Sequence, residues 1–213
     1  MAEAKHRPAG RAGLVHVRLD TSVGPIVLAL DAAHAPQTTA NFMAYVDDGR
    51  FDGITFYRAW RNKAAPQFGF VQGGIRTDAR RILPPFPLET TARTGIRHTD
   101  GTISMARRGD PASAGGNFFI TVGALPNMDA HGAEPGFAAF GHVVGGMDAV
   151  RRILAQPTGG RMEGQMLLNE VTVRRAVRLD GQAKPTGLPR PWLMETRAPR
   201  PRPPARSAPP PHP

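Results

Sequence analysis

Short strand-like runs, separated by glycine- and proline-rich turns, recur along most of this chain and limit how it can fold. Residues 15–20 alternate apolar and polar side chains with a period of two, and residues 26–30 follow a Gly24-Pro25 turn, a pattern typical of a β-hairpin. Six further runs have the length and residue types of strands: 55–60, 68–72, 101–106, 118–122, 137–144 and 169–179. The sequence therefore predicts a mainly β fold with eight strands.

Two segments have helical rather than strand-like spacing. Residues 36–48 begin at Pro36, which suits a first helical turn, carry an apolar face and end before Gly49. Residues 147–156 follow the Gly145-Gly146 break and repeat apolar residues at helical spacing. Eight strands and two helices favour a closed eight-stranded antiparallel β-barrel capped by two α-helices.

Composition sets the limits of the folded part. The chain has 213 residues, 40% of them hydrophobic, which suits one core with additional segments. Residues 181–213 contain 11 prolines, and most of the rest are polar or basic, so they bury too little apolar surface to fold alone. We expect a basic disordered leader at 1–13, one folded domain at 14–180 and a disordered Pro/Arg-rich tail at 181–213.

Charge is concentrated outside the expected domain. The formal net charge is +10, of which residues 1–13 carry +2 and residues 181–213 carry +5, leaving +3 for residues 14–180. A nucleic-acid-binding domain normally carries its basic excess on the folded surface, so we expect no nucleic-acid partner and a monomer. The tail has the composition to contact anionic surfaces.

Several classes of site and location find no support in the sequence. The chain has no cysteine, and its seven histidines show no ligand-like spacing, so we expect no metal and no cofactor. No phosphate-binding loop or hydrolase nucleophile motif is present. No apolar run suits a signal peptide or a membrane span, so we expect no membrane partner and a cytoplasmic location.

Five motifs, in order, resemble those of the cyclophilin-type peptidyl-prolyl isomerases. They are residues 56–58 (FYR), 70–74 (FVQGG), 101–106 (GTISMA), 116–120 (GNFFI) and 140–147 (FGHVVGGM). Each motif is weak alone, but the shared order is specific, and the resemblance extends over residues 15–179. It implies the family's eight-stranded barrel with two capping helices, and an enzyme that accelerates rotation about Xaa-Pro bonds in unfolded or flexible chains.

The resemblance implies that Arg58 is the catalytic residue. Rotation about a peptide bond breaks amide resonance across a barrier of about 18–20 kcal/mol and makes no covalent bond. Catalysis therefore needs a donor that stabilises the twisted imide nitrogen and a pocket that holds the proline ring. A guanidinium suits the first role because it stays charged and presents several N–H groups in a rigid fork.

The resemblance also implies the residues that bind substrate. Gln72 would hydrogen-bond the substrate backbone, and Ala106 with Arg107 would pair with its extended main chain. Aromatic rings and a flexible thioether would form the proline pocket. The expected substrate contacts are Phe70, Gln72, Met105, Ala106, Arg107, Asn117, Phe119, Met128 and Phe137, with Met105 in the core beneath the site.

The chain departs from the family pattern around this site. The loop at 61–66 is longer, Gly69 and Asn127 stand where aromatic residues are common, and Asn117 stands where glutamine is usual. Arg107 stands where asparagine is common, and Phe137 stands where histidine or tyrosine is typical. These changes keep open the alternative of a non-catalytic proline-peptide binding or chaperone module with a degenerate pocket. A nucleic-acid-associated protein is a third class, which the small charge of residues 14–180 disfavours.

Overall fold

The strands of the chain join into one antiparallel sheet. A computed structural model describes residues 13–110 and 113–193. Its strands are β1 (Leu14–Thr21), β2 (Gly24–Asp31), β3 (Thr55–Arg61), β4 (Gly69–Gly74), β5 (Thr102–Met105), β6 (Asn117–Val122), β7 (Ala139–Gly145), β8 (Thr158–Gly159) and β9 (Met166–Arg178). Its helices are α1 (Pro36–Asp47), α2 (Thr91–Thr94), α3 (Met147–Leu154) and α4 (Arg161–Gly164), with 3-10 turns at Pro126–Met128 and Pro191–Leu193.

Eight of these strands close into a barrel. The sheet order is β1-β2-β7-β5-β6-β4-β3-β9, and β9 pairs back onto β1. Closure leaves no long unpaired strand edge, which is how small antiparallel barrels avoid edge-to-edge association. The predicted eight-stranded barrel is confirmed. The unpredicted β8 has two residues and pairs only with β9.

The two predicted helices are present and end within two residues of the predicted positions. Helix α1 begins at Pro36, and just beyond its end Gly49 has a φ of 70°, a left-handed conformation that glycine adopts without strain. Helix α3 buries Val150 and Ile153 against the barrel. The short α2 and α4 are not predicted by the spacing. No helix in the described ranges is both long and apolar enough to cross a bilayer.

Apolar side chains form two clusters on opposite faces of the barrel wall. Inside, the ring of Phe42 from α1 lies 4.9 Å from Phe51, 5.4 Å from Phe118 and 5.3 Å from Phe140 between centroids. A smaller cluster is built from Phe70, Phe119 and Leu125. Successive strand residues point to opposite faces, so Phe118 packs inside while Phe119 packs outside. The outer cluster is one wall of the candidate site.

The chain after β9 packs back onto the barrel. We name residues 182–193 the C-terminal strap. Thr186 donates to both carboxylate oxygens of Asp48, from its backbone nitrogen at 2.7 Å and its hydroxyl at 2.6 Å. The Trp192 ring lies 4.5 Å from the guanidinium carbon of Arg50. The sequence places this strap in a disordered tail, and the structure differs because buried charges of the barrel bind it. Residues 1–12 and 194–213 of the expected leader and tail lie outside the described residues.

Candidate active site

A β-bulge on β3 presents Arg58 beside Gln72. Phe56 pairs with Gly73 and Arg58 with Gln72, so Tyr57 is the extra residue in the register between β3 and β4. Such an extra residue re-aims the neighbouring side chains. Nη1 of Arg58 donates to Oε1 of Gln72 at 2.9 Å. The structure thus brings together two residues that the sequence analysis assigns to the site.

A second glutamine, which the sequence analysis missed, holds the other side of the guanidinium. Nε and Nη2 of Arg58 both donate to Oε1 of Gln165, at 2.9 and 2.7 Å. Gln165 follows α4, where Met162 and Glu163 adopt left-handed conformations with φ of 54° and 57°. Its backbone carbonyl also accepts the N–H of Ala59 on β3. Gln165 lies outside all five motifs, and no sequence signal relates it to Arg58.

The anchored guanidinium keeps two donors for a substrate. An arginine has five N–H groups, and three are used by Gln72 and Gln165. The remaining two have no protein partner within the described residues. The guanidinium carbon lies 5.1 Å from the ring centroid of Phe70. Burial lowers the pKa of Arg58, but the group stays charged because its ordinary pKa is far above neutrality.

A chain of hydrogen bonds continues from Gln72 across the groove. Nε2 of Gln72 donates to the hydroxyl of Tyr57 at 2.8 Å, and that hydroxyl donates to Oδ1 of Asn117 at 3.2 Å. The same oxygen accepts the backbone N–H of Arg76 at 2.7 Å, while Nδ2 of Asn117 donates to the Arg76 carbonyl at 2.9 Å. Asn117, which the sequence analysis predicts to contact substrate, therefore also holds the backbone of Arg76 at the rim of the groove.

An apolar pocket adjoins Arg58. The ring of Phe119 lies 5.4 Å from that of Phe70 and meets Phe137 edge-on at 5.5 Å. Met128 and Ala106 pack against this cluster. These five predicted contacts come together. Leu125 and Trp60 also belong to the cluster and were missed, since both lie outside the five motifs that indicate the site.

One predicted contact lies elsewhere. Met105 is only 1% exposed, belongs to the interior core and is not among the residues that line the groove. Its backbone N–H is bonded to the carbonyl of Ala138. The side chain points into the barrel because β5 alternates its faces. Met105 therefore lies in the core beneath the site, as the sequence analysis places it, and does not itself line the groove.

The segment just after β5 presents a free backbone edge to the groove, beyond the last paired residue of the strand. The groove has a volume of about 920 Å³, and it extends from Arg58 and the apolar pocket towards Ile82, Leu83 and Pro85. Ala106 uses its backbone N–H on the carbonyl of Asn117 at 2.9 Å. The backbone N–H of the next residue, Arg107, has no partner in the described part of the chain. An extended peptide can therefore add to this edge by main-chain hydrogen bonds.

Half of the departures from the family pattern lie outside this groove, whereas Arg107, Asn117 and Phe137 line it. Neither residues 61–66 nor Asn127 line it. Arg61 donates from Nε to the carbonyl of Leu154 at 2.7 Å, which ties the longer loop to the end of α3. A Cβ at Gly69 would lie 1.9 Å from the carbonyl oxygen of Trp60, so no larger residue fits there. The loop and Gly69 change the barrel wall next to the groove and leave Arg58 and Gln72 in place.

His98 lies in a buried network beneath the pocket. Its Nδ1 is 2.7 Å from Oδ1 of Asp129, and its Nε2 is 2.9 Å from the hydroxyl of Ser104. Its ring stacks on Phe119 at 5.7 Å between centroids. All three polar residues are buried, so this serine is not an accessible nucleophile. The network holds the 3-10 turn that follows Leu125 and supports the pocket floor.

We expect His98 to make stability depend on pH. Burial is the main cause that lowers the pKa of His98, and the bond to Asp129 opposes it only in part. The unfolded chain therefore binds a proton near pH 6.5 that the folded chain resists, so stability is full above that pH and falls as pH falls. The free energy of unfolding in urea should drop by up to about 1.4 kcal/mol per pH unit below pH 6.5.

The matched comparison for this prediction is His98→Gln, which removes the titrating group. Burial also lowers the pKa of His142, so the wild type and the His142→Asn variant are measured in parallel. The loss between pH 7.5 and 5.5 should be smaller in His98→Gln than in the wild type. An equal loss in both proteins contradicts the prediction.

The chain is similar in sequence to cyclophilin-type peptidyl-prolyl isomerases. The family model described as cyclophilin type peptidyl-prolyl cis-trans isomerase/CLD matches residues 16–177. Peptidyl-prolyl cis-trans isomerase cyp18 of Streptomyces antibioticus is 38% identical over 146 residues, covering 67% of this chain and 85% of that protein. Peptidyl-prolyl cis-trans isomerase A of Dickeya dadantii is 38% identical over 138 residues, covering 65% and 70%.

Solved structures agree on the fold. A cyclophilin type peptidyl-prolyl cis-trans isomerase of Cryptosporidium parvum superposes with a TM-score of 0.64, covering 79% of this chain and 99% of that one. Its sequence identity is 21%, so this likeness supports the architecture alone.

Proposed function

This chain belongs to the cyclophilin-type peptidyl-prolyl cis-trans isomerase family, and from that premise we propose that Arg58 is its catalytic residue. The chain is an isomerase that accelerates rotation about Xaa-Pro bonds, as its family and relatives indicate. The non-catalytic alternative gains no support from them. The observation that supports a catalytic role for Arg58 is that Gln72 and Gln165 hold its guanidinium beside an apolar pocket and leave two of its N–H groups without a partner among the described residues.

The mechanism needs no covalent step. As the Xaa-Pro bond twists, the prolyl nitrogen loses resonance and becomes a better hydrogen-bond acceptor. The free N–H groups of Arg58 donate to this nitrogen more strongly in the twisted state than in the planar one, which lowers the barrier. Two glutamine oxygens hold the guanidinium in place beforehand, so little reorganisation accompanies the rotation.

The pocket and the strand edge hold the two sides of the rotating bond. The proline ring packs between Phe119, Phe70 and Met128, while the chain beside it pairs with the free edge at Arg107. Gln72 can bond the substrate backbone as well as Arg58, because an amide donates and accepts at once. With the ring fixed, rotation moves only the flanking chain.

We also propose that the protein is a monomer and that it acts in the cytoplasm on unfolded or flexible chains containing proline. We propose no cofactor, metal, membrane or nucleic-acid partner. The tail has the composition to contact anionic surfaces, and its residues 194–213 lie outside the described part of the chain.

The experiment that tests catalysis follows the cis-to-trans conversion of a proline peptide. Uncatalysed isomerisation takes tens of seconds, so added enzyme should accelerate it in proportion to its concentration. Peptide binding is measured on the same sample by fluorescence of a labelled peptide. Binding without acceleration would support the non-catalytic module and refute the proposed activity.

A further inference from the structure

Among the residues that the structure describes, five positive side chains and no carboxylate line the groove. They come from four separate segments of the chain: Arg58, Arg76, Arg107, Arg108 and Arg161. Residues 14–180 together carry a net charge of only +3, so this clustering is not a reflection of the overall composition. It is produced by the fold at the site where substrate binds.

Three of the five arginines form no ion pair within residues 13–110 and 113–193. Among the described residues, no carboxylate pairs with Arg107, Arg108 or Arg161. Arg76 differs, because it forms an ion pair with Glu170. Arg58 bonds neutral amides. The surplus charge of the groove therefore resides mainly on the segment after β5 and on Arg161 in α4.

Arg107 is held in place by neutral oxygens. Its Nε donates to the carbonyl of Gly136 at 2.9 Å, and its Nη1 donates to the carbonyls of Arg108 and Gly109 at 3.0 and 3.1 Å. Its guanidinium carbon lies 5.0 Å from the ring centroid of Phe137 in the pocket wall. The side chain is thus a positioned cation at the pocket, with Nη2 free of partners within the described residues.

Three acidic residues near the groove, Asp78, Asp110 and Glu163, are not among the residues that line it. Asp78 lies 3.0 Å from Arg80 and 3.5 Å from Arg81, outside the groove. Glu163 lies close enough to raise the pKa of Arg58, but it does not line the groove. A groove with apolar walls and one sign of charge focuses its field on a bound chain.

We propose that this groove selects proline-containing segments with aspartate or glutamate within about three residues of the proline. The inference rests on the proposed isomerase function and names its substrate class. An extended chain advances about 3.3 Å per residue, so acidic side chains at these positions reach the rim while the proline occupies its pocket. The chain's own tail at 181–213 has six basic residues and one acidic residue, so the same charges disfavour its entry.

The test uses three peptides that share one Ala-Pro centre and carry Glu, Gln or Lys at the flanking positions. Exchange between isomers is measured by NMR, because a coupled protease would add a charge preference of its own. At low ionic strength kcat/KM should be highest for the Glu peptide, lower for the Gln peptide and lowest for the Lys peptide. The values for the Glu and Lys peptides should differ by about tenfold, because the charge pairs involved are exposed or half-buried. In 0.5 M salt this difference should shrink severalfold.

Two variants with equal loss of charge locate the effect. Arg108→Gln with Arg161→Gln removes two groove charges, whereas Arg174→Gln with Arg175→Gln removes two exposed charges of β9 that do not line the groove. The ratio of kcat/KM for the Glu and Lys peptides should fall about threefold or more in the first variant and stay unchanged in the second. A ratio unchanged in both variants overturns the assignment to the groove.

The Gln peptide distinguishes a failure of the isomerase function from a failure of the charge selection. If the wild type fails to accelerate its exchange, the isomerase function fails. If the Gln peptide is turned over but the Glu and Lys peptides have equal kcat/KM, the charge selection alone is refuted. Stronger inhibition by a single-stranded oligonucleotide than by a Glu-rich proline peptide of the same charge would instead indicate a nucleic-acid site.

Discussion

Replacing Arg58 with alanine should lower kcat/KM for peptide isomerisation by about 100- to 1000-fold, the usual loss when a positioned donor is removed from a transition state. The fold should survive, because Arg58 is half-buried at the groove and its partners Gln72 and Gln165 gain access to water. The measurement is NMR exchange on a neutral proline peptide, with the circular dichroism spectrum and thermal midpoint as checks of folding.

Three further variants distinguish a correctly positioned guanidinium at residue 58 from a positive charge alone. Arg58→Lys keeps the charge but cannot hold two glutamines in a planar fork, so it should recover only a small part of the activity. Gln165→Ala removes two of the three bonds that anchor Arg58 and should cost about tenfold, chiefly in kcat. Arg18→Ala is the control, since this exposed arginine of β1 bonds only Asp20. Arg58→Ala with wild-type activity would show that another group provides catalysis.

Arg50→Met should cause the largest loss of stability of any single change considered for this chain. Arg50 is 2% exposed, and its guanidinium donates to the Asp48 carboxylate at 2.8 Å and to the carbonyls of Arg81 and Pro189. Removal takes the nearer of two cations from the buried Asp48, whose remaining ion pair, with Arg190, is 3.9 Å long. Breaking such a buried pair costs about 3–5 kcal/mol. For a domain of this size the thermal midpoint should fall by roughly 6–20 °C.

The chain contains a matched exposed pair for comparison. Arg18 and Asp20 are also two residues apart and bond at 2.7 Å, but their side chains are 43% and 34% exposed. Arg18→Ala should cost at most about 1 kcal/mol, because water screens the exposed pair. The double variant Asp48→Asn with Arg50→Met should be less destabilised than the sum of the two single changes. Equal small losses for Arg50→Met and Arg18→Ala would contradict the role assigned to the buried pair.

Arg50 also links the C-terminal strap to the groove. It bonds the carbonyl of Arg81, and Arg81 returns a bond from Nη1 to the carbonyl of Arg50 at 2.6 Å. The Trp192 ring lies over both guanidinium groups, 4.5 Å from Arg50 and 5.5 Å from Arg81. The segment that follows Arg81 lines the far end of the groove, so the strap and that wall share one set of contacts.

Residues with a local signal were predictable from the sequence. The period of two in β1, the Pro36 start of α1 and the Gly145-Gly146 break before α3 are features of neighbouring residues, and local sterics decide them. The order of the five motifs was sufficient to identify Arg58 and Gln72. Their direct bond follows from the pairing of β3 with β4.

Residues that act through long-range contacts carried no such signal. Gln165 is 107 positions from Arg58, and Asp48 is 138 positions from Thr186. The pairing of such residues depends on where barrel closure and the α4 turn place distant parts of the chain. No periodic pattern in the sequence indicates that placement. For the same reason the composition of residues 181–213 predicted a disordered tail, although buried charges of the barrel bind the strap.

The sequence by itself therefore determined the eight strands of the barrel, the two capping helices, the family and the arginine that we propose as catalytic, because each depends on local patterns or on an ordered set of short motifs. The tertiary structure alone decided the second anchor of Arg58, the attachment of the strap and the collection of five arginines around one groove. These features depend on closure of the barrel, which places distant segments side by side and fixes which face each side chain occupies.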